Sequence, residues 1–220
     1  NKIATAQKLM EAVKAEAEHR GYDVTFINHG LGKRKMSYLE HCRYRGVDGV
    51  VIACIDFKNP EVSELVESTI PTVTIDHVFN STAAIVSSNA DGMQQLMEYI
   101  LSKGHRQIAY IHGKDSAVTR ERLVSFYRTL EEHGIEVPDE YVREGVYNDP
   151  KVAAEETKEL LKLKKTPTCI LYPDDYAAFG GISAIRETGM SVPDDISIAG
   201  FDGIPVTEIL EPPLTTYSQD

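Results

Sequence analysis

The chain has 220 residues, 42% of them hydrophobic, and its 34 acidic against 23 basic residues give a formal net charge of -11. That length can bury one or two apolar cores, and no apolar run approaches the roughly 18 residues of a membrane span, so disordered and integral membrane classes are excluded. The acidic balance argues against DNA binding by this segment itself, because that relies on Lys and Arg neutralising phosphates.

Ile3, Ala6, Leu9, Met10, Val13 and Ala17 recur at helical spacing as far as Gly21, which predicts an opening helix with no strand before it. Strand and helix then alternate, as a parallel sheet requires. The pattern predicts a strand over 23–28, a helix over 36–45, a strand over 49–54, a short helix over 61–68 and strands over 72–76 and 84–87. Helix 92–103 ends at Gly104, and strand 107–112 leads to helix 119–133, which ends at Gly134. Strand 141–145, helix 152–163, strand 168–172, helix 177–187 with its stop at Gly189, and strand 196–202 complete the series. The basic run Lys33-Arg34-Lys35 reads as a solvated loop rather than a phosphate patch.

Cys42, Cys54 and Cys169 form an odd set without Cys-x-x-Cys spacing, which disfavours a disulfide framework or a zinc site and suits a reducing compartment. Cys54 and Cys169 fall in apolar runs and read as small buried hydrophobes.

The last two strands carry the chemistry. Thr168-Cys169-Ile170-Leu171-Tyr172 runs into Pro173-Asp174-Asp175, and Ile196-Ser197-Ile198-Ala199-Gly200-Phe201 runs into Asp202-Gly203. Both put carboxylates at the carboxyl end of a buried parallel strand, the edge where open α/β sheets bind ligands. Enzyme signatures are missing from the sequence: there is no Gly-x-Ser-x-Gly elbow, Gly-x-Gly-x-x-Gly turn, Walker loop or His-Glu-x-x-His helix. The chain therefore reads as a binding module rather than an enzyme, with no cofactor and no metal.

The stretch from Tyr172 to Asp220, with Val86-Ser87-Ser88-Asn89, Gly104-His105-Arg106-Gln107-Ile108-Ala109-Tyr110-Ile111-His112-Gly113 and Glu121-Arg122-Leu123 upstream, resembles the LacI/GalR family of bacterial transcription regulators in order and spacing. The resemblance implies an α/β fold of two doubly wound, parallel-sheet, Rossmann-like subdomains of periplasmic-binding-protein-like type. Residues 1–88 would form the N-terminal subdomain without its first strand, and 89–220 the C-terminal subdomain without its end. A helix-turn-helix headpiece would precede them, and the chain would cross between lobes near Ser87-Ser88-Asn89 and again near Thr215-Thr216-Tyr217. It also implies a cytoplasmic homodimer that binds operator DNA through that headpiece and a small effector in the interlobe cleft, without membrane contact.

A sugar offers adjacent hydroxyls that carboxylates and a guanidinium can grip, while an aromatic face covers its C–H side. Arg122, Asp174, Asp202 and Tyr147 supply that set, and the resemblance assigns ligand contact to Arg122, Asp202 and the often aromatic position of Tyr147. Each has a structural alternative: Arg122 as a partner of Glu121, Asp202 as a turn cap, Tyr147 as a half-buried aromatic. Asp175 reads as the N-cap of the following helix, Asn89 as a turn residue at the crossover, and Asp76-His77 as a strand end in the other lobe.

Asp174 departs from the family's usual asparagine, and the extra charge favours a donor-rich or cationic ligand. The purine-binding branch of the family places polar and basic groups shortly before the matched arginine, where this chain has Ser116 and Val118, so a sugar is the expected effector. A protein corepressor is a second effector class. A secreted sugar-binding protein of an ABC transporter is the competing reading, against which the Val192-Pro193-Asp194-Asp195 and Pro212-Pro213-Leu214-Thr215-Thr216 segments favour the regulator.

Overall fold

The computed structural model describes the backbone of residues 2–28, 30, 31 and 34–219, and the side chains of 9–28 and 35–219. The chain divides into two compact units, Lys2–Val86 and Ser87–Asp220.

The larger unit is a five-stranded parallel sheet. Its strands are β6 (Ile108–His112), β7 (Val142–Glu144), β8 (Cys169–Leu171), β9 (Ser197–Asp202) and β10 (Thr215–Ser218), in the order β10-β9-β8-β6-β7. Strict alternation along β6 sends Ile108 and Tyr110 to one face and Ala109 and Ile111 to the other. The first face is covered by α4 (Asn89–Ser102) and α5 (Ala117–Glu132), through Met93, Leu96, Met97, Phe126 and Leu130. Helices α6 (Pro150–Leu161) and α7 (Asp175–Glu187) cover the second, through Ala153, Leu160, Ala177, Ala178 and Ile185. A sheet covered on both faces needs apolar residues in succession, which is why the β8 run Cys-Ile-Leu is buried throughout.

After β6 the chain leaves through α5 on one face and adds β7; it then crosses back through α6 to β8 and leaves through α7 on the other face. Consecutive connections therefore diverge at the carboxyl ends of β6 and β8. That divergence is the topological switch point at which open α/β sheets leave a crevice.

The smaller unit holds a three-stranded parallel sheet, β3 (Val50–Ile52), β4 (Thr72–Ile75) and β5 (Ala83–Ile85), in sequential order. Its core joins Ile52 to Leu39 and Cys42 of α2 (Tyr38–Arg45) and to Val62, Leu65 and Val66 of α3 (Pro60–Val66). Helix α2 opens with a Ser37–Glu40 capping box and closes at Gly46 in the left-handed region. Along α1 (Lys2–His19), Leu9, Val13 and Ala17 are half-buried and the other described side chains exposed, the stripe that the apolar spacing predicts. Among the described residues, no helix is long and apolar enough to cross a membrane.

Three expectations are corrected. Residues 23–28 form no strand: among the described residues they pair with no neighbouring strand, and Asn28 instead receives a hydrogen bond from His41 on α2 at its carbonyl. A strand exists only where a ladder satisfies its backbone, and β-rich composition alone does not supply one. The strand predicted over 49–54 stops at Ile52, leaving Cys54 exposed with φ of 57° rather than buried. The basic run meets the end of a two-residue antiparallel pair, β1 (Gly30–Leu31) with β2 (Arg34–Lys35), while Lys33 lies outside the described residues.

Candidate functional site

Ser116 caps α5 by accepting the Thr119 N–H at 3.1 Å, which fixes the first turn of that helix at the mouth of the switch-point crevice. Two turns of helix geometry then bring Arg122 inward, and it is almost wholly buried. Its Nε donates to Asn89 Oδ1 at 2.9 Å and its Nη1 to the Pro173 carbonyl at 2.9 Å. The guanidinium carbon lies 3.6 Å from the centroid of the Phe201 ring. These contacts come from three separate elements, α4, the β8–α7 turn and β9. A buried cation needs such partners, yet those contacts are neutral, so its positive charge stays available to an acceptor. Among the described residues, Nη2 meets no hydrogen-bond acceptor.

Asp202 ends β9 with φ of 113°, a conformation that non-glycine residues rarely adopt. Burial pushes its carboxyl up to about 7, with Asp174 and Asp175 adding to the rise while the Arg122 guanidinium opposes it. Its Oδ1 accepts from the Gln219 side-chain amide. Near neutral pH this group can therefore either donate or accept. Cys54, Asp76 and Asn148 are the other described non-glycine residues at positive φ, and all of them follow the carboxyl ends of strands. Backbone strain concentrated on one edge of each sheet is a marker of function.

The cap of α7 falls on Asp174 and not on Asp175, where the sequence placed it. Asp174 is the N-cap of α7: its Oδ1 accepts the Ala177 N–H at 2.9 Å, and its Oδ2 accepts the Asn148 N–H at 2.7 Å, which ties down the β7–α6 loop. Burial raises its pKa and these N–H donors pull it back. Asp175 is fully buried and bonds outward to the next strand connection, accepting from Ile204 N–H at 2.9 Å and from the Thr216 hydroxyl at 2.5 Å. Burial pushes its carboxyl up to about 6. Gly200 makes the room, since a Cβ there would stand 2.2 Å from Asp175 Oδ1.

Tyr147 lies in the β7–α6 loop, with its hydroxyl 2.9 Å from Thr119 Oγ1. Its ring lies across Gly113, where a Cβ would come within 1.9 Å of Cε2. Burial raises the phenol pKa, and Arg122 opposes that rise. The ring therefore forms one wall of the crevice, with Arg122 and Asp202 acting on it. A guanidinium donor, a carboxyl able to donate or accept, and an aromatic wall converge on one sheet edge. Among the described residues no cluster could hold a metal ion.

Comparison with known proteins gives the family of the chain. The family described as periplasmic binding proteins and the sugar binding domain of the LacI family matches residues 5–220. The chain is an effector-binding domain of the LacI family. It is similar to the HTH-type transcriptional repressor PurR of Vibrio campbellii, 29% identical over 219 residues, covering 96% of this chain and 65% of that protein. It is also similar to the repressor of the same name from Haemophilus influenzae, 30% identical over 216 residues, covering 96% of this chain and 64% of that one. The chain thus spans just under two thirds of the length of these relatives. A regulatory protein of the LacI family from Chloroflexus aggregans superposes with a TM-score of 0.82 at 28% identity, over 95% of this chain and 76% of that one. A LacI transcriptional regulator from a Rhodococcus species, at 24% identity and a TM-score of 0.82 over 96% of this chain and 79% of that one, shares the fold.

Within this LacI-family domain, Arg122, Tyr147, Asp174 and Asp202 all come to the same edge of the larger sheet, and electrostatic influence connects them. Asn89, read as a turn residue, opens α4 and orients Arg122. The sequence reading leaves out Phe201, Gln219 and Thr216: an aromatic in an apolar strand carries no sequence signal that separates a cation platform from core. Gln219 and Thr216 could have been found from the parallel pairing of β10 with β9, which sets Thr216 beside Gly200 and Ser218 beside Asp202.

Proposed function

We propose that the domain binds a sugar or sugar derivative at the carboxyl edge of its larger sheet and, within a longer homodimeric regulator of the cytoplasm, changes affinity for operator DNA. The observation that carries this reading is the buried Arg122, held by Asn89 and Pro173 over the Phe201 ring with Nη2 unengaged and Asp202 acting on it. Adjacent hydroxyls of a sugar match that pair, one accepting from the guanidinium and the next bonding the carboxyl, with the Tyr147 ring against the C–H face. The Ser116 hydroxyl is engaged with Thr119, which leaves a purine carbonyl little to bond there and favours a sugar.

Effector binding acts by favouring one arrangement of the domain over another, and coupling of this kind changes operator affinity by about 5- to 150-fold. A thermal-shift screen against sugars, sugar phosphates, nucleobases and polyamines tests the reading, since ligand at about 100 times its Kd stabilises by about 2.7 kcal/mol. Stabilisation by a sugar, lost in Asp202→Asn, is the expected result. Stabilisation by nucleobases alone would replace the sugar with a purine, and a secretory signal encoded upstream in the same frame would replace the regulator with a secreted binding protein.

A further inference from the structure

Of the contacts that hold Arg122, the one from Asn89 decides which edge of the guanidinium a ligand can meet. Asn89 is almost wholly buried and is the first residue of α4. Its Oδ1 accepts from Arg122 Nε at 2.9 Å, and its Nδ2 donates to the Ser87 carbonyl at 3.2 Å. Bonds of opposite polarity at the two ends of the amide fix which end faces the arginine. Helix α4 is in turn tied to α5, which carries Arg122, by the Ser125 hydroxyl donating to the Ala90 carbonyl at 2.6 Å. Asn89 is therefore held in place when a ligand arrives.

A guanidinium grips a carboxylate best through two parallel N–H donors, and it has two such pairs, Nε with Nη2 and Nη1 with Nη2. Asn89 takes the Nε hydrogen, and the Pro173 carbonyl takes one from Nη1 at 2.9 Å. Each pair thus has a member engaged by the fold, and Nη2 is the nitrogen left over. It is open to a ligand: among the described residues, the buried side-chain polar atoms without a partner are Thr82 Oγ1 and Tyr110 Oη, so Nη2 keeps contact with solvent.

A carboxylate presented to Nη2 alone leaves part of its charge unpaired in a largely buried place, which is costly. It also has no proton to give to Asp202, the carboxyl on which the same guanidinium acts. A hydroxyl accepts an N–H from Nη2 and still donates its own hydrogen to a carboxyl, so it satisfies both. The neutrality of Asn89 matters as much as its position, because a carboxylate there would offset the guanidinium charge that draws a ligand oxygen.

We propose that Asn89 is a specificity-determining residue: by occupying the Nε–H of Arg122 it closes the side-on donor pair, so that the domain takes neutral sugars and discriminates against the corresponding sugar acids. This rests on the sugar reading above and narrows it.

The test compares the wild-type chain with Asn89→Ala, which frees the Nε–H, and Asn89→Asp, which keeps it occupied. Calorimetric titrations at pH 8 set D-glucose, D-galactose and D-mannose against D-glucuronate, D-galacturonate and D-mannuronate, pairs that differ in a hydroxymethyl against a carboxylate. The wild type is expected to bind the neutral member of a pair about tenfold more tightly or better. Asn89→Ala is expected to narrow that ratio about tenfold through tighter binding of the acid, and Asn89→Asp to keep it. Where the alanine variant does not fold, Asn89→Ser takes its place, since its short side chain keeps a donor for the Ser87 carbonyl. A wild type that binds both members equally, or the acid more tightly, would overturn the proposal and leave the sugar reading intact. So would an unchanged ratio in Asn89→Ala, or the same change of ratio in Asn89→Ala and Asn89→Asp, because the residue would then act only through the fold. A wild type that binds none of the six would overturn the sugar reading and this proposal together.

Discussion

Asp202 is the residue at which function and stability pull in opposite directions, and Asp202→Asn separates them. Its carboxyl is pushed up to about 7 in the folded chain from an ordinary value of 3.8. At about 1.4 kcal/mol per pKa unit, that interval caps the cost of burying the charge at about 4 kcal/mol, and solvent screening of a partly exposed side chain brings it to about 2 kcal/mol. The sign follows from proton counting. Between about pH 4 and pH 7 the folded chain holds a proton that the unfolded chain has released, so stability falls as pH rises through that window. An asparagine keeps the acceptor for Gln219 and does not ionise. Urea unfolding of both proteins at pH 5 and pH 8 should therefore show the variant gaining on the wild type by about 1 to 2 kcal/mol between the two pH values. In the same samples the variant should lose its thermal response to sugar. A stability difference independent of pH would refute the raised pKa, and an intact sugar response would remove Asp202 from the site.

Arg122→Ala leaves the Asn89 and Pro173 acceptors unpaired in a buried place and should destabilise by about 2 to 4 kcal/mol, measured by urea unfolding, besides losing effector response. Gly113→Ala forces the Tyr147 ring away from its place; calorimetric titration should show effector binding weakened at least tenfold, with a stability loss of about 1 to 3 kcal/mol. Asp174→Ser keeps the cap on α7 but drops the tie to Asn148, so it should cost about 1 to 2 kcal/mol and leave the preference among effectors unchanged. Spermidine stabilising the wild type but not Asp174→Ser would show instead that the Asp174 charge faces the ligand.

Periodicity and strand ends made most of the larger unit legible. The β6, β8 and β9 runs are short, apolar and closed by turn residues, and β8 and β9 carry acids at their carboxyl ends, the edge where open α/β sheets bind ligands. Arg122 stands out through the family resemblance, and where the residues alone suggest pairing with Glu121 the structure supplies Asn89 and a carbonyl. The Asp174-Asp175 pair is readable as containing the cap of α7, but not as which of the two supplies it. That assignment depends on whether the helix begins one residue earlier or later, and the decisive partners, Asn148 and Thr216, lie 26 and 41 residues away. Residues 23–28 misled for the reverse reason: alternation fits a strand, and only the missing ladder tells otherwise.

The division of labour between the two aspartates also changes what the site asks of its ligand. Counted from the sequence, Asp174, Asp175 and Asp202 set three negative charges against Arg122, which would favour a cation. In the structure, Asp174 faces the amino end of α7, where backbone N–H groups and the helix dipole neutralise it, and Asp175 is bound by the Thr216 hydroxyl and the Ile204 N–H. In the proposed site Asp202 is then the carboxyl least paired by the fold, opposed by one guanidinium and pushed up to about 7. Charge that is already paired by the fold exerts little pull on a ligand cation. The crevice is therefore close to neutral toward its occupant and rich in paired donors and acceptors, which suits a polyhydroxylated neutral molecule better than a polyamine.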